Sequence, residues 1–237
     1  KGIAVQFSAP VGGSVATPQV VTDVNGLAQT FATLPSQGPV AFSISSSGLT
    51  TVTCSPTVLA PAAQLTFTTQ PTGNNVVAGT PFTVQVTARD GLGNTATSFA
   101  GTVTLALGTN PGGVTLSGTA TVAAVGGVAT FLNLVGLTKA GVYTLVATSG
   151  TLPPATSAPF TVVAAAPAQL AFTVGPPPTV AAMPIAPQLQ VAIEDAFGNL
   201  VPVTKTVTMS FGSNPVSATL GGTLVLSSLA GVATFAD

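Results

Sequence analysis

The chain has 237 residues, and charged residues make up only 4% of it, where about 25% is typical of globular domains. Its formal net charge is -1 and its four basic residues form no cluster, so we expect no nucleic-acid partner. Apolar residues reach 46%, but polar residues, Gly or Pro interrupt every apolar run well before the ~18 residues of a membrane-spanning helix. We therefore expect no membrane insertion within this segment.

An internal repeat of about 105 residues organises the chain. Residues 63–68 (AQLTFT) recur as residues 168–173 (AQLAFT), and residues 127–131 (GVATF) recur unchanged as residues 231–235. This period has the length of one immunoglobulin-sized domain. The repeat therefore predicts a string of similar domains.

Three modules follow in chain order, and we call them module 1 (residues 1–60), module 2 (61–165) and module 3 (166–237). Module 1 matches only the second half of the repeat, module 2 matches all of it, and module 3 matches its first two-thirds. The connections at residues 60–62 (APA) and 164–167 (AAAP) are short and contain proline. Such linkers predict a semi-rigid string rather than a flexible one.

Apolar residues in module 2 alternate with Thr, Gln and Ser, which is typical of strands with one buried face. In the clearest run, Phe82, Val84, Val86 and Ala88 are expected on the core face. The other predicted core residues are Leu65, Phe67, Val103, Leu105, Leu107, Ala129, Phe131, Tyr143, Leu145, Ala147, Phe160 and Val162. The sequence therefore predicts an all-β chain of tandem immunoglobulin-like β-sandwiches of about seven antiparallel strands each.

Titratable side chains are too few for most catalytic mechanisms. The chain has no His, so a nucleophilic Ser or Cys would have only Lys as its base. Glu194 and Asp195 are the only acids close together in sequence, and neighbours on a strand point to opposite faces. We therefore expect no enzyme, no catalytic residues and no cofactor-binding residues.

The motif D-x-x-G-N occurs at residues 90–94 (DGLGN) and 195–199 (DAFGN). One interpretation is a Ca²⁺ site, because Ca²⁺ binds carboxylate and carbonyl oxygens. The candidate ligands are Asp90, Asn94, Asp195 and Asn199. The other interpretation is a turn in which Asp and Asn cap the backbone and Gly supplies a positive φ. The turn is favoured, because one Asp per loop is few for an ion that takes about six oxygens or more, and no metal or cofactor is the expectation.

Two single residues carry further predictions. Cys54 is the only cysteine, and we expect a small, half-buried strand residue, with pairing to another chain as the alternative. Tyr143 is expected to begin the penultimate strand of module 2 with its hydroxyl on a nearby backbone group, as in a tyrosine corner.

These motifs follow one another in a characteristic order: an L-x-F strand, the D-x-x-G-N turn, a V-T-L strand, G-V-A-T-F and G-x-Y-T-L. The order resembles the bacterial immunoglobulin-like repeats of invasin- and intimin-type adhesins and of very large secreted repeat proteins. The resemblance covers the whole chain. It implies an extracellular or cell-surface protein whose modules act as structural spacers, although the shortage of charge departs from the family and no lectin-like tip domain is present.

The first functional hypothesis is the repeating body of an extracellular fibre or surface layer, because few charges protect the strand edges from association. In that case strands from a neighbouring copy would fill the open part of module 3 by strand addition. The alternatives are a passive spacer stalk of a large adhesin and a carbohydrate-binding accessory module of a secreted enzyme, although the chain has no Trp for stacking on sugars. Expected partners are other copies or adjacent modules, with host or surface glycans and proteins reached through other domains.

Overall fold

Strands account for the regular structure of the residues that the structure describes. The computed structural model describes residues 1–34, 38–71, 75–180 and 183–236. These residues form 23 β-strands and no helix, and no helix in the described ranges is long and apolar enough to cross a membrane. Each strand pairs with strands of its own module. The predicted all-β fold class is confirmed.

Module 1 contains one four-stranded sheet and two short strand pairs. Its strands are β1 (Ala4–Ser8), β2 (Ser14–Val15), β3 (Gln19–Val21), β4 (Ala32–Thr33), β5 (Gly38–Pro39), β6 (Phe42–Ser45), β7 (Val52–Cys54) and β8 (Thr57–Val58). The sheet has the order β3-β1-β6-β7, and β2 pairs with β4 and β5 with β8. Cys54 lies in a strand as predicted, but the prediction of half-burial is wrong. It is exposed, because β7 lies at the edge of the sheet and pairs only with β6.

Module 2 forms a β-sandwich. Its strands are β9 (Gln64–Thr69), β10 (Asn75–Val77), β11 (Phe82–Arg89), β12 (Thr102–Leu107), β13 (Thr121–Ala123), β14 (Val128–Leu134), β15 (Gly141–Tyr143), β16 (Leu145–Ser149), β17 (Leu152–Thr156) and β18 (Phe160–Val163). The sheet β14-β11-β9 packs on the sheet β13-β12-β16-β17, with β10-β18-β15 alongside. The pairs are antiparallel except β10 with β18, which is parallel.

The core of module 2 follows the period-two pattern. All the predicted core residues are buried except Leu107, which is half-buried. Val84 and Val86 are fully buried, and full burial of such a side chain contributes about 1.5–3 kcal/mol. Tyr143 is also fully buried, and its hydroxyl donates a hydrogen bond to the carbonyl oxygen of Lys139 over 2.9 Å. This confirms the predicted bond to a nearby backbone group. The predicted position is wrong, because Tyr143 is the last residue of β15 and does not begin the penultimate strand of module 2.

Module 3 repeats the first part of this arrangement. Its strands are β19 (Gln169–Val174), β20 (Leu189–Glu194), β21 (Thr206–Thr208), β22 (Val225–Ser227) and β23 (Val232–Phe235). They form the sheet β19-β20-β23 and the pair β21-β22. The smaller core comprises Leu189, Val191, Ile193, Val207, Ala233 and Phe235.

Candidate functional site

The D-x-x-G-N motif of module 3 forms a turn that follows β20 and is capped by its own aspartate. One carboxylate oxygen of Asp195, Oδ1, accepts hydrogen bonds from the backbone N–H groups of Phe197 and Asn199, both over 2.9 Å. Gly198 has a φ of 73°, which favours glycine. The geometry is that of an Asp-capped turn.

The motif of module 2 forms the same turn after β11. Asp90 Oδ1 accepts hydrogen bonds from the N–H groups of Leu92 and Asn94, both over 2.9 Å, and Gly93 has a φ of 88°. Arg89 donates from Nη1 to the carbonyl oxygen of Gly93 over 2.8 Å. The repeated sequence therefore builds a repeated local structure.

The two turns differ in what they contact beyond their own residues. In module 3, Asp195 Oδ2 accepts hydrogen bonds from the backbone N–H of Ala165 over 2.9 Å and from Asn199 Nδ2 over 2.8 Å. Asn199 Nδ2 also donates to the carbonyl oxygen of Thr138 over 2.8 Å, and Asn199 Oδ1 accepts from the N–H of Ala140 over 2.9 Å. The turn of module 3 is therefore hydrogen-bonded to the end of module 2.

Burial separates the asparagines of the two turns but not the aspartates, since Asp90 is also buried, at 5% exposed. Asp195 is fully buried and Asn199 is 6% exposed, whereas Asn94 is exposed. Asp90 Oδ2 accepts a longer hydrogen bond, of 3.3 Å, from Asn94 Nδ2. Asp90 and Asn94 line a cleft of about 220 Å³ together with residues 58–60 of module 1.

Hydrogen bonding controls the ionisation of both aspartates. Burial of Asp195 would by itself raise its pKa, but the hydrogen bonds from Asn199, Ala165 and Phe197 outweigh burial and hold the pKa of the carboxyl below its ordinary value. Desolvation likewise opposes the ionisation of Asp90, and hydrogen bonds from the turn lower the pKa of its carboxyl. Both groups are therefore carboxylates at neutral pH.

The donors around these carboxylates also bear on the Ca²⁺ interpretation. Each carboxylate oxygen of Asp195 already accepts two hydrogen bonds from N–H groups, and these donors occupy the positions that a cation would take. The structure does not bring the two Asp and Asn pairs together, since one lies at each module junction. The described ranges hold no group of three or more His, Cys, Asp or Glu residues that could bind a metal. The N–H groups around the Asp195 carboxylate do not fit a Ca²⁺ site. The absence of a bound metal stays a prediction.

A cavity with a volume of about 580 Å³ lies in module 3. Its apolar lining includes Met183, Ile185, Leu189, Met209, Phe211 and Phe235. None of its described lining residues is titratable. The cavity therefore offers apolar surface rather than acid–base groups.

Sequence reasoning found the turns but missed that Asp195 and Asn199 join two modules. Motif spacing describes residues within one repeat, whereas Thr138, Ala140 and Ala165 belong to the preceding one. The short linker at residues 164–167 was the available signal, because it places the start of module 3 close to the end of module 2.

Comparisons with known proteins give distant structural likenesses only. No protein-family model matches the chain, and no curated protein matches it. Among solved structures, FdeC, an Escherichia coli adhesin, is 20% identical over 97% of this chain and 79% of that chain, with a TM-score of 0.49. InvD of Yersinia pseudotuberculosis is 18% identical over 99% of this chain and 74% of that chain, with a TM-score of 0.47.

Two further likenesses involve much longer chains. Domains 4–9 of the surface layer protein SbsC are 20% identical over 98% of this chain and 42% of that chain, with a TM-score of 0.37. A β-glycosidase from Bacteroides vulgatus is 13% identical over 67% of this chain, with a TM-score of 0.38, and the chain spans only 21% of its length. Likeness at these identities and TM-scores assigns neither a family nor an activity.

Proposed function

We propose that the chain is a non-catalytic structural segment of an extracellular or cell-surface bacterial protein, in which immunoglobulin-like modules are coupled into a rod. The observation that carries the proposal is the hydrogen bonding of Asp195 and Asn199 across the junction to Ala165, Thr138 and Ala140. Side chains that are buried and bonded between two modules restrict their relative motion, which is otherwise the default. The proposed surface location is supported by the resemblance of the motif order to adhesin repeats.

A purified chain tests the rod directly. Light scattering after size exclusion should give the mass of one chain, 22.9 kDa, and electron microscopy should show separate short rods. The thermal midpoint should be unchanged by Ca²⁺ or by a chelator, because the turn carboxylates are occupied by N–H donors. Bent particles with no preferred angle between the modules would contradict the rod, and a shift with Ca²⁺ would contradict the absence of a metal.

The surface location needs a test on cells. An antibody against the chain should label intact cells of the source organism, and external protease should remove that labelling while leaving a cytoplasmic protein uncut. Labelling only after the cells are permeabilised would contradict the proposed location.

Self-association is a second candidate, favoured by the apolar face of module 3. Leu170 and Phe172 are 58% and 56% exposed, whereas their equivalents Leu65 and Phe67 in module 2 are 6% and 9% exposed. In module 2, β17 packs beside β9, which carries these residues. Strands β6 and β7 of a second copy are the proposed occupants, since module 1 repeats the second half of module 2.

A matched pair of variants tests this association. If the chain forms filaments at micromolar concentration, Phe172→Glu should abolish them, because a carboxylate on the apolar face cannot be buried without a partner. Leu92→Glu is the control, since Leu92 is 73% exposed on the turn of module 2. Chains that remain monomeric at high concentration would overturn self-association and leave the rod in place.

A further inference from the structure

The turn of module 3 also places an aromatic ring on module 2. A Cβ atom added at Gly79 would lie 2.4 Å from Cζ of Phe197 and 2.6 Å from Cε2, so the ring occupies the space where any other residue would carry its side chain. Gly79 lies in the turn between β10 and β11 with a φ of 78°. Both the close approach and the positive φ therefore require glycine at this position.

Lys139 of module 2 also contacts Phe197. Lys139 Nζ donates a hydrogen bond to the carbonyl oxygen of Phe197 over 2.5 Å. The hydroxyl of the fully buried Tyr143 binds the carbonyl oxygen of Lys139, and the N–H of Gly79 donates to the carbonyl oxygen of Leu137 over 2.9 Å. The surface that receives the turn is therefore tied to the core of module 2.

Neither half of this contact is repeated at its equivalent position. Leu92 stands where module 3 has Phe197, and it is 73% exposed. Pro184, about 105 residues after Gly79, stands at the equivalent place in module 3. The third residue of the motif, Phe197 in module 3 and Leu92 in module 2, is therefore what distinguishes the two turns in sequence.

We infer that Gly79, Lys139 and the backbone of Thr138 and Ala140 form a docking socket on module 2 for the turn of a following module that carries an aromatic third residue. The aromatic ring packs on Gly79, and Lys139 donates a hydrogen bond to the carbonyl oxygen of the same aromatic residue. The socket therefore selects the adjoining module and sets its orientation. This inference rests on the proposed rod and names the residues that determine the angle at this junction.

Distances between spin labels can test the socket in the whole chain. Labels would be placed at the exposed positions of Thr151→Cys in module 2 and Ser213→Cys in module 3, in a Cys54→Ser background. Double electron–electron resonance should give one narrow distance peak. Phe197→Ala should abolish that peak and give a broad distribution, and Phe197→Tyr should retain it because the ring is kept.

Controls separate loss of docking from loss of folding. Leu92→Ala removes the equivalent side chain of module 2 and should leave the peak narrow. Gly79→Ala should broaden the distribution as Phe197→Ala does, with Tyr143 fluorescence reporting that module 2 remains folded and hydrogen exchange in β20 reporting on module 3.

Two outcomes overturn different statements. A narrow peak that Phe197→Ala leaves unchanged would overturn the socket while leaving the rod. A broad distribution in the parent chain would overturn the rod together with the socket.

Discussion

Modules 2 and 3 contain nearly the same strand in different surroundings. Strands β9 and β19 carry the same L-x-F pattern and pair antiparallel with β11 and β20, respectively. Leu65 and Phe67 are nonetheless buried, whereas Leu170 and Phe172 are more than half exposed. Local sequence and one pairing partner are therefore enough to form the strand, but burial of its apolar face depends on strands from the opposite sheet.

Module 1 offers a second comparison, between β14 of module 2 and a related segment that has no described partner strand. Residues 128–134 form β14 and pair with β11, and Phe131 there is fully buried. The related residues 27–31 of module 1 are not in a strand, and Phe31 is 86% exposed. No described strand of module 1 occupies the position of β11. A strand-forming sequence thus becomes a strand only beside a partner.

The largest expected effect comes from the two phenylalanines of the L-x-F pattern. Phe67→Ala should destabilise module 2 by about 3–5 kcal/mol, because it leaves a cavity in a packed core. Phe172→Ala should change module 3 by about 0.5 kcal/mol or less, as is usual for exposed side chains. Urea unfolding followed by Tyr143 fluorescence measures module 2 alone, since the chain has one Tyr and no Trp, and hydrogen exchange in β20 measures module 3. Equal losses in the two modules would show that the face of β19 is covered in the native protein.

Substitution of the two aspartates should give a smaller difference in stability between modules 2 and 3. Asp195→Ala removes the acceptor for the N–H groups of Ala165 and Phe197 and should destabilise module 3 by about 1–3 kcal/mol. Asp90→Ala should have a smaller effect on module 2, because Asp90 caps its own turn without a described bond to module 1. Thermal unfolding with hydrogen exchange in β11 and β20 gives both values. An equal or larger effect of Asp90→Ala would contradict the assignment of a junction role to Asp195.

The smallest expected effect is on the acid dependence of stability. Because the folded-state pKa of Asp195 is lowered, its contribution should be constant at neutral pH and be lost as pH falls below about 4, the ordinary pKa of an aspartate. Thermal midpoints at pH 7, 5 and 3 should therefore fall mainly in the last interval. Asp195→Asn should show a smaller fall, because its side chain does not titrate. An identical fall in both proteins would assign the acid sensitivity to other groups.

The strands, the core face of module 2 and the two capped turns could all be predicted from the amino-acid sequence. The alternation of apolar and polar residues predicted that Val84 and Val86 lie in the core. The D-x-x-G-N motif predicted a glycine at the positive-φ position of each of the two turns. These features depend on contacts within a few residues or within one repeat, which a periodic pattern records directly.

The burial of the repeated residues and their contacts between modules depend on the three-dimensional fold. The exposure of Leu170, the position of Cys54 on an uncovered edge and the docking of Phe197 on Gly79 all depend on groups far away in the chain. Identical motifs have different neighbours at the two junctions, so local sequence cannot distinguish them. The physical reason is that burial and cross-junction hydrogen bonding are set by what lies opposite a residue, whereas strand and turn formation are set by its own backbone and adjacent partners.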